Sequence, residues 1–273
     1  MTPQINRSIG DKLYSALTNT MEGIFQLGEQ VQLSFSAYQL MHQTIDQDED
    51  EVFTLSYPIG LRADGTQIIG HTDYPKEQLK DRYIHLADSH LSLTSIYSLV
   101  TWMETLFGDV IRIIILEFPK KLGPKRKVSL SSILSADSLE SVHLAAADSL
   151  LNDLSYKSPR DFASEFDDIT GINLLEIPAF HKYIEFKATR DIYLHNKGVA
   201  SDVYLEKAGA FSRVKSGYLL PVNVQYFLSC YEASLQTCES LKESFHLIWY
   251  SSEYEAAQLR SSTQNDNTAI IET

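Results

Sequence analysis

Apolar side chains recur every three or four residues along most of the chain, the period of helices buried along one face. Over residues 8–45 the apolar positions are Leu13, Ala16, Leu17, Met21, Ile24, Leu27, Val31, Phe35, Tyr38 and Met41. Gly23 and Gly28 interrupt this stretch and mark a bend or the close approach of another helix. The period returns from Pro75 with Leu79, Tyr83, Leu86, His90, Leu93, Tyr97, Val100, Glu104 and Phe107. Between the two stretches, residues 52–57 and 66–69 are β-like and joined through Ala63-Asp64-Gly65, which predicts a small hairpin. Residues 111–118 are mainly apolar and fit either a buried strand or the end of a helix.

Two prolines, a glycine and five positive charges follow in Pro119-Lys-Lys-Leu-Gly-Pro-Lys-Arg-Lys127. This composition predicts a basic linker over 119–127 and a domain boundary there. Beyond it, helices are expected at 135–153, 158–170, 178–195, 201–208 and 221–259. Ser158-Pro159 and Ile177-Pro178 read as helix starts with proline in the first turn. The last helix carries Val224, Leu228, Tyr231, Leu235, Cys238, Leu241, Phe245 and Ile248 on one stripe. The expected fold is mostly α: a helical N-terminal region over 1–118 with a β-hairpin near 52–69, a helical bundle over 128–259, and a polar tail over 260–273.

Charge narrows the function. Among 273 residues, 36 acidic side chains face 23 basic ones, for a net charge of −13 and a pI near 5.0. Such a balance opposes non-specific attraction to nucleic acid or anionic lipid, so an RNA-binding role requires a local basic site. Five carboxylates crowd residues 46–51 without the glycine and distal glutamate of a calcium loop, and they read as a solvated linker. Cys230 and Cys238 are about 12 Å apart along a helix, too far for a disulfide, and fit small core residues. His85 and His90 point some 140° apart on a helix and make no zinc pair. No metal or cofactor motif occurs. The first fifteen residues hold no hydrophobic signal segment, and a cytoplasmic protein with no membrane association is expected.

One segment combines groups suited to phosphate chemistry: Phe186-Lys-Ala-Thr-Arg190-Asp191-Ile-Tyr193-Leu-His195-Asn196-Lys197-Gly198. Asp191 and His195 are four apart and share a helix face, so the carboxylate would orient the imidazole. A helix C-terminus favours a cationic imidazole. Arg190 offers a permanent bidentate clamp for phosphate. Cleavage of RNA by its own 2′-hydroxyl needs a proton acceptor, a proton donor and positive charge on the phosphorane, and histidine plus arginine supply these. One histidine cannot be acid and base in the same step, so a homodimer with a composite cleft is expected. The same residues also allow plain structural roles: a Lys187–Asp191 pair, a solvated Arg190, and His195 capping helix carbonyls. Glu185 and His181, also four apart, are expected to pair locally.

Arg190-Asp191, then His195-Asn196 at a helix end before a turn and a further helix, resembles the motif of the HEPN superfamily of all-α proteins. Residues 154–172, LSYKSPRDFASEFDDITGI, look like HEPN proteins of prokaryotic toxin and phage-defence systems. The resemblance covers roughly residues 128–258 and leaves 1–118 unexplained. It implies a dimeric, metal-independent endoribonuclease acting on RNA such as tRNA, with a cognate antitoxin or defence-system protein as partner. Catalytic roles would fall to Arg190, His195 and Asp191. Substrate contacts would fall to Asn196, Tyr193, Lys197 and the basic residues Lys120, Lys121, Lys125, Arg126 and Lys127. HEPN toxins silenced on a tyrosine carry it two positions after the histidine, where this chain has Lys197, so that control is not implied here. A non-catalytic HEPN-like scaffold or immunity protein, binding a protein through its long helices, fits the net charge of −13 better than RNA binding does.

Overall fold

The structure, a computed structural model, describes residues 8–123 and 130–260. It is mostly helical with one two-stranded antiparallel sheet, the architecture the hydrophobic period predicts. The helices are α1 (Ile9–Gln47), α2 (Lys76–His85), α3 (Leu91–Glu117), α4 (Leu130–Leu134), α5 (Leu139–Ser155), α6 (Pro159–Thr170), α7 (Pro178–Asn196), α8 (Asp202–Ala208) and α9 (Val224–Ile248). A last helical stretch covers residues 252–260. A π-helical turn, Leu86–His90, joins α2 to α3. The ambiguity at 111–118 resolves as helix, since α3 runs to Glu117. Among the described residues no helix is long and apolar enough to cross a membrane.

The chain divides into two compact units, and the division does not fall at the basic segment. One unit gathers the described residues up to 26, those from 97 to 220 and those from 229 onward; the other holds 27–96 and 221–228. Aromatic packing joins helices from both sides of the basic segment. Phe107 of α3 meets Phe162 and Phe166 of α6 and Phe180 and Tyr183 of α7 edge to face, with ring centroids 5.4 to 5.8 Å apart. Such pairs add to the hydrophobic gain of burying the rings and bind α3 into the same core as the later helices. Lys120 and Lys121 lie in a 3-10 turn, Pro119–Leu122, directly after α3, while Lys125, Arg126 and Lys127 lie outside the described residues.

In the larger unit the core is built from α3 (Leu99, Met103, Val110, Ile114), the start of α1 (Leu13, Leu17, Ile24) and α9 (Cys230, Cys238, Leu241), all buried. A Cβ at Gly23 would sit 2.4 Å from the Trp102 indole, so the glycine admits close packing rather than a bend. Both cysteines are free, and burial pushes the Cys238 thiol up to about 12. The buried stripe of α9 is rotated from the expected one: Ser234 and Thr237 are buried, whereas Leu228 and Ile248 are exposed. The hydroxyls tolerate burial because they donate to the carbonyls of Cys230 and Ala233, each at 2.8 Å.

Several helix starts follow side-chain caps. Ser138 accepts from Ser141 N, so α5 begins at Leu139 instead of 135. Ser158 and Pro159 open α6 as expected, with Ser158 accepting from Asp161 N. The expected helix over 221–259 is interrupted after Ile248. Ser251 Oγ accepts from Tyr254 N at 3.1 Å and donates to Asp11 Oδ1 at 2.7 Å, which restarts the helix.

In the smaller unit, β1 (Val52–Leu61) pairs with β2 (Gln67–Pro75), from Val52 opposite Pro75 to Leu61 opposite Gln67. The strands exceed the expected 52–57 and 66–69 because a bulge between Pro58 and Gly60 absorbs one residue and pairing resumes beyond it. Asp46 at the end of α1 pairs with Lys80 of α2 at 2.7 Å.

Candidate functional site

Pro178 occupies the first turn of α7, where a missing N–H costs nothing. Phe180, Tyr183, Phe186, Ala188 and Ile192 bury one side of the helix. At its end Lys197 takes a left-handed conformation, φ 51°, and Gly198 N donates to Ile192 O at 3.2 Å. Ser201 then caps α8 through Tyr204 N. Strand-like pairing of Val199 with Leu219 ties this corner to the following loop.

Arg190 and Asp191 face a cleft of about 680 Å³, bordered also by Lys187 of α7, Lys207 of α8, Glu104 of α3 and the Tyr183 ring. Arg190, 18% exposed at its side chain, donates through Nη2 to Glu104 Oε1 at 2.9 Å. Lys187 Nζ donates to the same oxygen. Arg190 Nε lies 3.0 Å from Asp191 Oδ1, close enough for ion pairing but not aligned as a hydrogen bond, and this buried N–H has no acceptor among the described residues. Lys207 Nζ stands 3.3 Å from Asp191 Oδ2. Three cations thus surround two carboxylates, leaving a local positive excess in an acidic chain. Burial, reinforced by Glu104, holds the Tyr183 phenol well above its ordinary pKa, so it enters the site protonated.

The expected Asp191–His195 pairing is replaced. Asp191 instead meets Arg190 and Lys207, two cations that flank both of its carboxylate oxygens. His195 is exposed on the last turn of α7 and does not line the cleft that holds Arg190. Two other expected substrate contacts have structural work. Asn196 Nδ2 donates to Val199 O at 2.6 Å, and the Tyr193 hydroxyl donates to Leu220 O. Burial raises the Tyr193 pKa. Lys197, Lys120 and Lys121 are exposed and outside the cleft.

Sequence reasoning missed Glu185 as a hub. It is wholly buried, and its Oε1 accepts from Arg213 Nε at 2.9 Å, Thr189 Oγ1 at 2.9 Å and the Tyr204 hydroxyl at 3.0 Å. Lys182 Nζ lies 3.2 Å from Oε2. His181 is not its partner: that ring bonds Leu175 O at 3.0 Å and stacks on Phe211. The available signal was a carboxylate set among Ile184 and Phe186, where burial demands a cation. No motif pointed to Arg213. The network locks α7 to α8 and the 212–217 loop, and so fixes the frame of the cleft.

Among the described residues, no group of three or more His, Cys, Asp or Glu side chains is placed to hold a metal ion. The chain matches no protein-family model, no curated protein and no solved structure.

Proposed function

We propose that this protein is a metal-independent endoribonuclease of a toxin or phage-defence system, cleaving RNA such as tRNA through the 2′-hydroxyl. The observation that carries the reading is Arg190: a largely buried guanidinium, opening on a cleft beside Lys187 and Lys207, held by Glu104 through Nη2 and ion-paired with Asp191. A phosphate of the RNA displaces Glu104 from Arg190 Nη2 and Lys187 Nζ, leaving Arg190 and Lys187 to stabilise the phosphorane. His195 lies outside this cleft on its own copy, so His195 of the partner subunit in a homodimer takes the 2′-hydroxyl proton, and the leaving 5′-oxygen is protonated by water in the open cleft. Asp191 positions Arg190 rather than the histidine.

Incubating the protein with total tRNA in excess EDTA tests the reading. Cleavage leaving 2′,3′-cyclic phosphate ends, lost in Arg190→Ala and in His195→Ala, supports it; equal cleavage by wild type and both variants refutes it.

A second reading, a non-catalytic HEPN-like scaffold or immunity protein, is favoured by one fact: Asp191 and Glu104 already neutralise most of the cleft's charge. Under it both variants leave partner binding unchanged.

A further inference from the structure

The hairpin of the smaller unit has two faces that differ over its middle, although toward the tip the more polar one also carries Pro58 and the exposed Ile69. Pairing register places Thr54 against Asp73 and Ser56 against His71 on one face, and both pairs are hydrogen-bonded, at 2.6 and 2.8 Å. The other face carries Phe53, Leu55, Tyr57, Ile68, Thr72 and Tyr74 by strict alternation, with Thr72 hydrogen-bonded to the Tyr57 hydroxyl. The bulged Ile59 joins them, because a Cβ at Gly70, opposite Tyr57, would lie 2.5 Å from its side chain. Toward the hairpin tip this apolar face is bare: Tyr57 is 45% exposed and Ile59 62%. A two-stranded hairpin is marginal in water unless its apolar face is covered, and a contiguous exposed patch marks an interaction surface.

Charge says what covers it. Between Asp46 and Pro75 there are seven carboxylates and one cation, Arg62. Asp48, Glu49, Asp50 and Glu51 at the base of the hairpin are all exposed. A second copy would bring acid against acid, and RNA or an anionic membrane would be repelled. A ten-residue strand spans about 33 Å, the length of one helix of about six turns lying along the strands.

We propose that the apolar face of the hairpin docks an amphipathic basic helix of another protein, its leucine-like side chains on Leu55, Tyr57, Ile59 and Ile68 and its lysines or arginines against residues 48–51. This surface is independent of the Arg190 cleft and stands whether or not that cleft cleaves RNA.

The test uses the full chain and a labelled helical peptide of leucine and lysine, with a leucine–glutamate peptide as control, read by fluorescence anisotropy. Wild type is expected to bind the basic peptide with Kd on the order of 10 µM and the acidic one at least about tenfold more weakly. Leu55→Asp/Ile59→Asp is expected to lose about tenfold in affinity, although its added charge alone would strengthen attraction to lysine. Replacing Asp48, Glu49, Asp50 and Glu51 by their amides leaves the hairpin's own residues intact and is expected to weaken binding and flatten its salt dependence. Absence of binding by wild type, or equal binding by the Leu55→Asp/Ile59→Asp variant, overturns the proposal. So does a wild-type dimer that this variant dissolves, which would make a second copy the occupant.

Discussion

Arg190 and Glu104, 86 positions apart, form an ion pair at 2.9 Å across the cleft, joining α7 to α3. Glu104 falls on the apolar stripe of α3 by spacing, yet its carboxylate gathers Arg190 and Lys187 and sets the charge of the site. The residue from the supposed N-terminal region is therefore part of the candidate centre.

Glu104→Gln removes the internal competitor for phosphate while keeping the shape. RNA affinity is expected to rise about fivefold at low salt, on the order of 1 kcal/mol for one screened charge, and less at high salt. Because Glu104 is more than a third exposed, the loss in folding stability is expected to stay below about 1 kcal/mol. Filter binding and urea unfolding measure the two quantities; unchanged affinity would mean that Glu104 does not compete with RNA.

Arg213→Ala strands the Glu185 carboxylate in the core with Lys182, Thr189 and Tyr204 as its remaining partners. Breaking a buried pair from one side is expected to cost about 3 kcal/mol in urea unfolding. The double variant Glu185→Gln/Arg213→Ala is expected to lose less than the sum of its single variants, since the two side chains act through one contact. Additive losses would show that the network is not a unit.

Asp11 ties the start of α1 to the last helical stretch. Burial raises its pKa, but hydrogen bonds from Ser251, Glu253 N, Ser8 and Ser252 outweigh this and hold it below the ordinary 3.8. A carboxyl lowered on folding contributes stability that is fully present above 3.8 and is lost as pH falls through the folded value. Wild type is therefore expected to exceed Asp11→Asn in stability at pH 6, with the gap closing below about pH 4. A gap that stays constant to pH 3 would contradict this account.

Lys197 sits at φ 51°, a conformation that glycine adopts without strain. Lys197→Gly is expected to stabilise the fold by about 1 kcal/mol. If its ammonium contacts RNA in the dimer, affinity falls in the same variant, separating the two roles. Thermal unfolding and RNA binding on one preparation decide it.

Local signals in the sequence mapped well onto local structure. Ser158-Pro159 and Pro178 start helices, Ser201 caps α8, and the β-like segments near 52–69 fold as a hairpin. Long-range choices left no such trace. A period of 3.6 shows which face of α3 is buried but not that Phe107 meets four rings from α6 and α7. Helical spacing placed Asp191 beside His195, yet the carboxylate turned to Lys207 on another helix. Partner choice among charges depends on tertiary distance, and sequence spacing constrains only neighbours on one helix.

The most direct measurement is tRNA cleavage in excess EDTA by wild type, Arg190→Ala, His195→Ala and an equimolar, co-refolded mixture of the two variants. The expected result is cleavage by wild type, none by either variant alone, and partial recovery in the mixture, where one composite site joins an intact Arg190 to an intact partner histidine. A wild type that leaves tRNA intact, or variants that cleave as well as wild type, would contradict the account.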